Sequence, residues 1–192
     1  MVRMFQYFGR YGILSEDAQD FLRNRGRVMV YNRQDTYLHA DEVKNNWCFI
    51  LEGVVGMEHH DASSNIQIEQ VLAENDYFNG SKHPFSASAE QTHIRFYKQS
   101  AIYELPHIHF RKAIEEFTEL QHLYHILKQQ QLNRLRHFLR LAKISREERL
   151  AYFHTHFPNL ATRLTVRQIS SLLGYSTTRQ YYHALAYYLR HS

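Results

Sequence analysis

Apolar and polar residues change their period twice along the chain. Up to about residue 110, short runs rich in β-branched and aromatic residues recur: RVMVYN, NWCFILEGVVGMEHH, NIQIEQVLA, THIRFYK and AIYELP. Polar breaks such as DASSN and ENDYFNGSKH separate them, a spacing that predicts an antiparallel sandwich or barrel. Gly53 interrupts the apolar run FILEGVVGM, as a bulge or sharp bend would. From about Pro106 the pattern becomes helical. IHFRKAIEEFTELQHLYHILKQQQLNRLRHFLRLAK contains no Gly or Pro and is dominated by good helix formers. Phe117, Leu120, Tyr124, Leu127, Gln131 and Phe138 follow alternating three- and four-residue steps, with Arg134 as the polar step. Such a stripe suits a partner helix across a dimer axis, the favoured reading, or else packing on the chain's own β domain. Leu123, Leu132, Leu135 and Leu139 lie off it and could serve the internal contact.

The third pattern starts at Ser145. SREE is a capping box, with Ser145 as N-cap and Glu148 three residues on. The helix it opens runs to about Thr155, and Pro158 prevents it from continuing. Thr165 then caps VRQISSLL, and Gly174 stands where a left-handed residue closes a helix. Ser176 or Thr177 can cap a last helix reaching about Leu189. Three short helices with a glycine turn between the last two predict a helix-turn-helix.

Charge sharpens this division. Residues 144–192 carry six arginines (146, 149, 163, 167, 179 and 190) against Glu147 and Glu148, a net +4. The whole chain is also +4, so residues 1–143 balance to zero. A positive excess confined to the last quarter is the footprint of a module that meets a polyanion. The lone Cys48 cannot form an internal disulfide and fits a reducing compartment. No apolar run reaches the roughly 18 residues of a membrane helix, and MVRMFQYFGRYGIL lacks a signal-peptide core, so a cytoplasmic protein without membrane contact is expected.

The order β-domain, long helix, helix-turn-helix resembles the Crp/Fnr family of transcription regulators. Phe49-Ile50-Leu51-Glu52-Gly53 and Asn75-Asp76-Tyr77-Phe78 are similar to the "FIL-x-G" strand and "GDFF"-like turn of that family's cyclic-nucleotide-binding roll. ISREERLAYFHTHFPNLATRLTVRQISSLLGYS is similar to the "seeRy…F…P.l…v….iAsyLG" pattern of its shorter members. The resemblance implies an α+β chain in three parts. Residues 1–110 would form a cyclic-nucleotide-binding-like double-stranded β-roll as effector domain, and 111–143 a long connecting and dimerisation helix. Residues 144–192 would form a DNA-binding helix-turn-helix of the winged-helix type, lacking most or all of the wing. It further implies a homodimer on a palindromic operator in double-stranded DNA, with RNA polymerase as a further partner.

Within the family, a glutamate after the "FF" turn holds the ribose hydroxyl of cyclic AMP, and an Arg-Ser or Arg-Thr pair grips its phosphate. The matching stretch, Phe78-Asn79-Gly80-Ser81 through Ser88 and Glu90, departs from this. Ser81 falls at the glutamate and Glu90 near the arginine, and no basic residue lies between Lys82 and Arg95. A buried phosphate needs a charge-assisted donor fork. Cyclic AMP in the usual manner is therefore not expected, and no cofactor is assigned; the roll is left with another small-molecule effector or none.

In the last helix the usual core positions, six and nine after the glycine, would be Gln180 and His183. A one-residue shift instead gives the amphipathic set Tyr181, Ala184, Leu185 and Tyr188, with Ser170 as the small residue that lets the helices approach. Thr178, Arg179, Gln180, Tyr182 and His183 then face outward. Arg179 suits guanine O6/N7 and Gln180 adenine N6/N7. Thr177 and Thr178 suit phosphate at a helix N-terminus, and Arg163 and Arg167 flank the preceding helix. Tyr182 could reach a phosphate or a thymine methyl.

Two other readings compete. The aromatic last helix would also suit a small-molecule-binding sensor whose helix-turn-helix serves protein interaction. His59-His60, His107-x-His109 and His154-x-His156 raise a metal-dependent barrel enzyme, since an H-x-H pair on a strand points to one face. A third His and the Glu at suitable spacing are missing, so no metal site is assigned. G-x-S-x-G, P-loop and G-x-G-x-x-G motifs are absent, and no catalytic residue is assigned.

Overall fold

A computed structural model describes residues 1–61 and 65–191. Ala62, Ser63 and Ser64 of the expected DASSN break, and Ser192, lie outside the described residues. The element order is α1 (Val2–Phe8), α2 (Glu16–Arg25), β1 (Arg27–Tyr31), β2 (Thr36–Leu38), β3 (Asn46–Glu52), β4 (Val54–His60), β5 (Ile66–Ala73), β6 (Tyr77–Asn79), β7 (His93–Phe96), β8 (Ser100–Pro106), α3 (His107–Glu116), α4 (Thr118–Lys143), α5 (Arg146–His156), α6 (Pro158–Ala161), α7 (Val166–Leu172) and α8 (Thr178–His191). By contacts the chain divides into two compact units, Met1–Met57 with Leu72–Gln131 and Glu58–Val71 with Leu132–Ser192. The β4–β5 hairpin and α4 run from one unit into the other.

The strands form two four-stranded sheets, ordered β1-β8-β3-β6 and β2-β7-β4-β5. β3 pairs antiparallel with both β8 and β6, and β1 with β8. The run Trp47 to Ile50 is buried on both faces, which explains why it is continuously apolar rather than alternating. Cys48 and Ile50 point between the sheets with Tyr37, Leu38, Val55, Leu72, Phe78, Ile94, Phe96 and Ile102. Trp47 and Phe49 point the other way, onto α1, α2, α3 and the first half of α4. The fold is thus an α+β double-stranded roll followed by helices. Gly53 makes the expected bend: its φ is +117°, and an added Cβ would lie 2.0 Å from Ser100 Oγ. The β3–β8 register slips beside it, between Ile50 and Glu52.

Three helical features depart from expectation. Residues 1–25, read as part of the β-rich domain, contain α1 and α2. Ser15 caps α2 by accepting from Ala18 N–H, Glu16 and Asp17 occupy its first turn, and Arg23 and Arg25 its last. The single long helix is broken at Phe117, which is extended (φ −119°, ψ 105°) and seats its ring against Phe21, 5.5 Å away. No Gly or Pro marks that break; packing sets it.

The dimer stripe is also turned around. Leu120, Tyr124 and Leu127 pack with Phe117 onto Trp47, Tyr77 and Phe110 in the core of their own chain. Gln131 is half-buried, and Phe138 stacks on Phe157 at 4.8 Å. The residues that could serve the internal contact are divided: Leu123 is buried, whereas Leu132, Leu135 and Leu139 are 50%, 36% and 64% exposed. A helix shows its partner only by which face is covered, and here the chain's own core takes the stripe from Phe117 to Leu127.

Candidate nucleic-acid interface

The helix-turn-helix is assembled from local devices. Ser145 Oγ accepts from Glu148 N–H while the Glu148 carboxylate accepts from the Ser145 N–H and hydroxyl, starting α5. Thr165 and Gln168 form a second capping box at α7. α7 ends in a Schellman motif, with Tyr175 N–H donating to Ser170 O at 2.8 Å and Gly174 N–H to Ser171 O at 3.1 Å. Gly174 has φ +71°, the left-handed value that closure needs. Ser170 is buried at the crossing.

Sequence reasoning gave no role to Arg149, yet its side chain ties the unit together. Its Nη1 donates to Leu173 O at 2.9 Å, its Nη2 to Ala142 O at 3.3 Å and its Nε to Ile144 O at 3.4 Å. One guanidinium thus satisfies carbonyls at the ends of α4 and α7. Tyr175 closes the same corner by donating its hydroxyl to Arg146 O at 2.8 Å; burial pushes that phenol up to about 12. On another side of the unit, the hydroxyl of Ser171 in α7 donates to Ile66 O and accepts from Ile68 N–H, fixing the outer hairpin strand.

α8 adopts the shifted register. Tyr181 and Ala184 are buried, Leu185 and Tyr188 half-buried, and Tyr188 stacks on His154 of α5 at 5.1 Å. Arg179, Tyr182 and His183 are exposed along the outer face, with Thr177 and Thr178 at its start. Thr177 Oγ1 also accepts from Gln180 N–H, so its hydroxyl serves as a cap. Arg163 precedes α7 and is half-buried, while Arg167 is exposed on its first turn. Gln180, expected to reach adenine, folds back instead. Its Oε1 accepts from the Ser176 N–H at 2.9 Å and the Ser176 hydroxyl at 3.2 Å, closing the turn. Short polar side chains beside a helix start compete for local backbone donors, and here the turn takes the glutamine.

Between the starts of α5 and α8 lies a groove of about 290 Å³, lined by Arg146, Glu147, Arg179, Gln180, His183 and Ala184. Glu147 Oε1 stands 3.6 Å from His183 Nδ1. Arg146 and Glu147 carry no individual role in the sequence reading; their only signal was position on the first turn of a capped helix.

The effector stretch is differently built. Phe78 is buried in the roll interior, where Tyr31 stacks on Phe96 at 4.3 Å and Tyr37 meets Phe78 edge-on at 5.1 Å. Asn79 follows at the end of β6. Gly80 lies against Lys44, whose carbonyl oxygen would be 2.0 Å from an added Cβ. Ser81 is buried and donates to His83 O, and the Ser88 carbonyl accepts from Lys82 N–H. Glu90 is half-buried and accepts at its carbonyl from Asp41 N–H. Cys48 donates to the Tyr37 hydroxyl, and burial raises its thiol far above the ordinary range, so it is no nucleophile there. The pairs His107-x-His109 and His154-x-His156 lie on helices rather than strands, where i and i+2 diverge. His154 stacks on Tyr188, whereas His156 packs at a tilt against His137 and Tyr152. Among the described residues no cluster of three His, Cys, Asp or Glu could hold a metal. No helix among them is long and apolar enough to cross a membrane.

Known structures share this architecture. FixK2 from Bradyrhizobium japonicum superposes with a TM-score of 0.71 at 17% identity, over 86% of this chain and 85% of that one. A transcriptional regulator assigned to the crp/fnr family from Eubacterium rectale gives 0.69 at 10% identity, over 93% and 85%. A CRP family transcriptional regulator from Thermus thermophilus, TTHB099, gives 0.68 at 13% identity, over 85% of each chain. The sequence matches no protein-family model and none of the curated proteins. At these identities the likeness establishes the fold: this chain has the fold of the Crp/Fnr regulators.

Proposed function

We propose that the chain is a sequence-specific DNA-binding transcription regulator of the Crp/Fnr type that acts as a homodimer. The observation that carries this reading is the outer face of α8, where Arg179, Tyr182 and His183 are exposed on a helix seated by buried Tyr181 and Ala184. Arg179 reads a guanine edge, Thr178 and Arg167 meet phosphates, and Gln180 sets the turn. The matching fold and the positive charge of residues 144–192 support the same conclusion. Dimerisation falls to Leu132, Leu135 and Leu139, whose spacing of three and four residues makes an exposed apolar seam. A symmetric dimer sets its two reading helices about 34 Å apart, matching half-sites one helical turn apart.

The roll does not hold cyclic AMP in the usual manner. Ser81 is turned onto the His83 carbonyl, and no guanidinium belongs to the Phe78 to Glu90 stretch. Selection of bound fragments from the source genome by purified protein tests DNA binding and yields the operator. Arg179→Ala is expected to cost about 1–3 kcal/mol on that operator and to relax one base position. Failure to enrich any sequence, with Arg179→Ala behaving as wild type on bulk DNA, would refute the reading. Leu135→Glu is expected to yield monomers by sedimentation.

A further inference from the structure

The groove between the starts of α5 and α8 holds two cations and one anion that compete for the same space. Arg146 and Arg179 line it from opposite helices, and neither guanidinium has a hydrogen-bond or ion-pair partner among the described residues. At 290 Å³ the groove is wide enough for a phosphodiester group, and the positive ends of both helices bear on it. Glu147 is the remaining charge. Of the two acids in residues 144–192, Glu148 is consumed by the Ser145 cap, so Glu147 alone opposes an anion here. It stands at the groove beside His183, 3.6 Å away.

We propose that this groove is a backbone-clamping site for duplex DNA in which Arg146 binds one phosphodiester beside the base-reading Arg179, and Glu147 acts as a built-in brake on its affinity. The inference rests on the DNA-binding reading and extends it to α5, a helix given no part in it so far. Arg146 offers a planar donor fork, which matches two phosphate oxygens at once. Such a contact adds affinity without sequence preference and displaces a counterion, so it is visible in the salt dependence. Glu147 lowers the local positive potential, and removing its charge therefore strengthens binding.

The test measures binding of the full chain to a random-sequence duplex of about 25 base pairs, between about 25 and 150 mM KCl. Arg146→Ala is expected to weaken binding roughly five- to ten-fold and to flatten the log–log salt slope by about 0.9, the contribution of one phosphate. Arg146→Lys should keep most of the slope, because it keeps the charge. Glu147→Gln should tighten binding about two- to five-fold at the lowest salt and lose that gain as salt rises. Folding is not at stake in Arg146→Ala, since Tyr175 uses only the Arg146 carbonyl. A wild-type protein that binds with a steep slope, while Arg146→Ala leaves slope and affinity unchanged, overturns the clamp and leaves the DNA reading standing. Glu147→Gln no tighter than wild type overturns the brake. Absence of salt-dependent binding by the wild type overturns the DNA reading and the clamp with it.

Discussion

The helix-turn-helix and the β-roll hold their shapes by opposite means. In the former, α5 and α7 are started and α7 is stopped by residues a few positions away: Ser145 with Glu148, Thr165 with Gln168, Gly174 with the Ser171 carbonyl. Its outer face is left with exposed Arg167, Arg179, Tyr182 and His183. In the roll, order comes from distant pairing, β1 and β3 both on β8, and from an interior packed with Tyr31, Tyr37, Phe78 and Phe96. A unit stabilised by local caps can spend its surface on a ligand. A roll whose interior is occupied by its own aromatic rings keeps little of that interior for an effector.

The sharpest way to break this comparison is Phe96→Ala. Phe96 is fully buried and stacked on Tyr31, so its truncation should cost about 3–5 kcal/mol in urea unfolding. A cost below about 1 kcal/mol would mean the interior is a loosely filled ligand space rather than a packed core. Arg149→Met comes next. Losing charge-assisted bonds to three carbonyls should cost about 2 kcal/mol, read as faster amide exchange around Leu173. Gly174→Ala should cost about 1 kcal/mol, because alanine resists φ +71° and its Cβ would stand 3.2 Å from Arg149 Nη1.

The smallest effect expected is a pH dependence. Burial holds the His154 imidazole below its ordinary 6.5. The unfolded chain therefore takes up the proton first, and stability is fully present above pH 6.5 and declines as pH falls toward the lowered folded-state value. His154→Gln should flatten that decline in denaturant midpoints measured between about pH 7.5 and 5. His156, lowered by burial, by His137 and by Arg140, adds to the same slope.

Much of the reading unit was legible because its signals are local. SREE, the Thr165 cap and Gly174 each name a structure within four residues, and the Tyr181–Ala184–Leu185–Tyr188 spacing identified the buried face of α8. The fate of Gln180 was not legible, since a side chain near a turn chooses between solvent and backbone only when the turn exists. Arg149 and Arg146 were missed for a related reason: their roles depend on where the ends of other helices fall. α2 carried a readable signal in Ser15, Glu16, Asp17 and the arginines of its last turn, but the strand pattern downstream drew residues 1–110 into one β-rich class.

The sequence by itself determined the apolar strands β1, β3, β4, β5, β7 and β8, the caps, and the concentration of positive charge in the last quarter, because period, capping and charge act over a few residues or none; the short β2 was not read, and β6 lay inside the ENDYFNGSKH break. Only the tertiary structure decided that Leu120, Tyr124 and Leu127 of α4 are covered by the roll, that Leu132, Leu135 and Leu139 are exposed, and that the helix breaks at Phe117. It also decided that Gln180 closes a turn and that Arg146 shares a groove with Arg179. Each of these is a choice among partners that only the folded chain brings together, and a one-dimensional pattern records what a residue prefers but not which neighbour reaches it first.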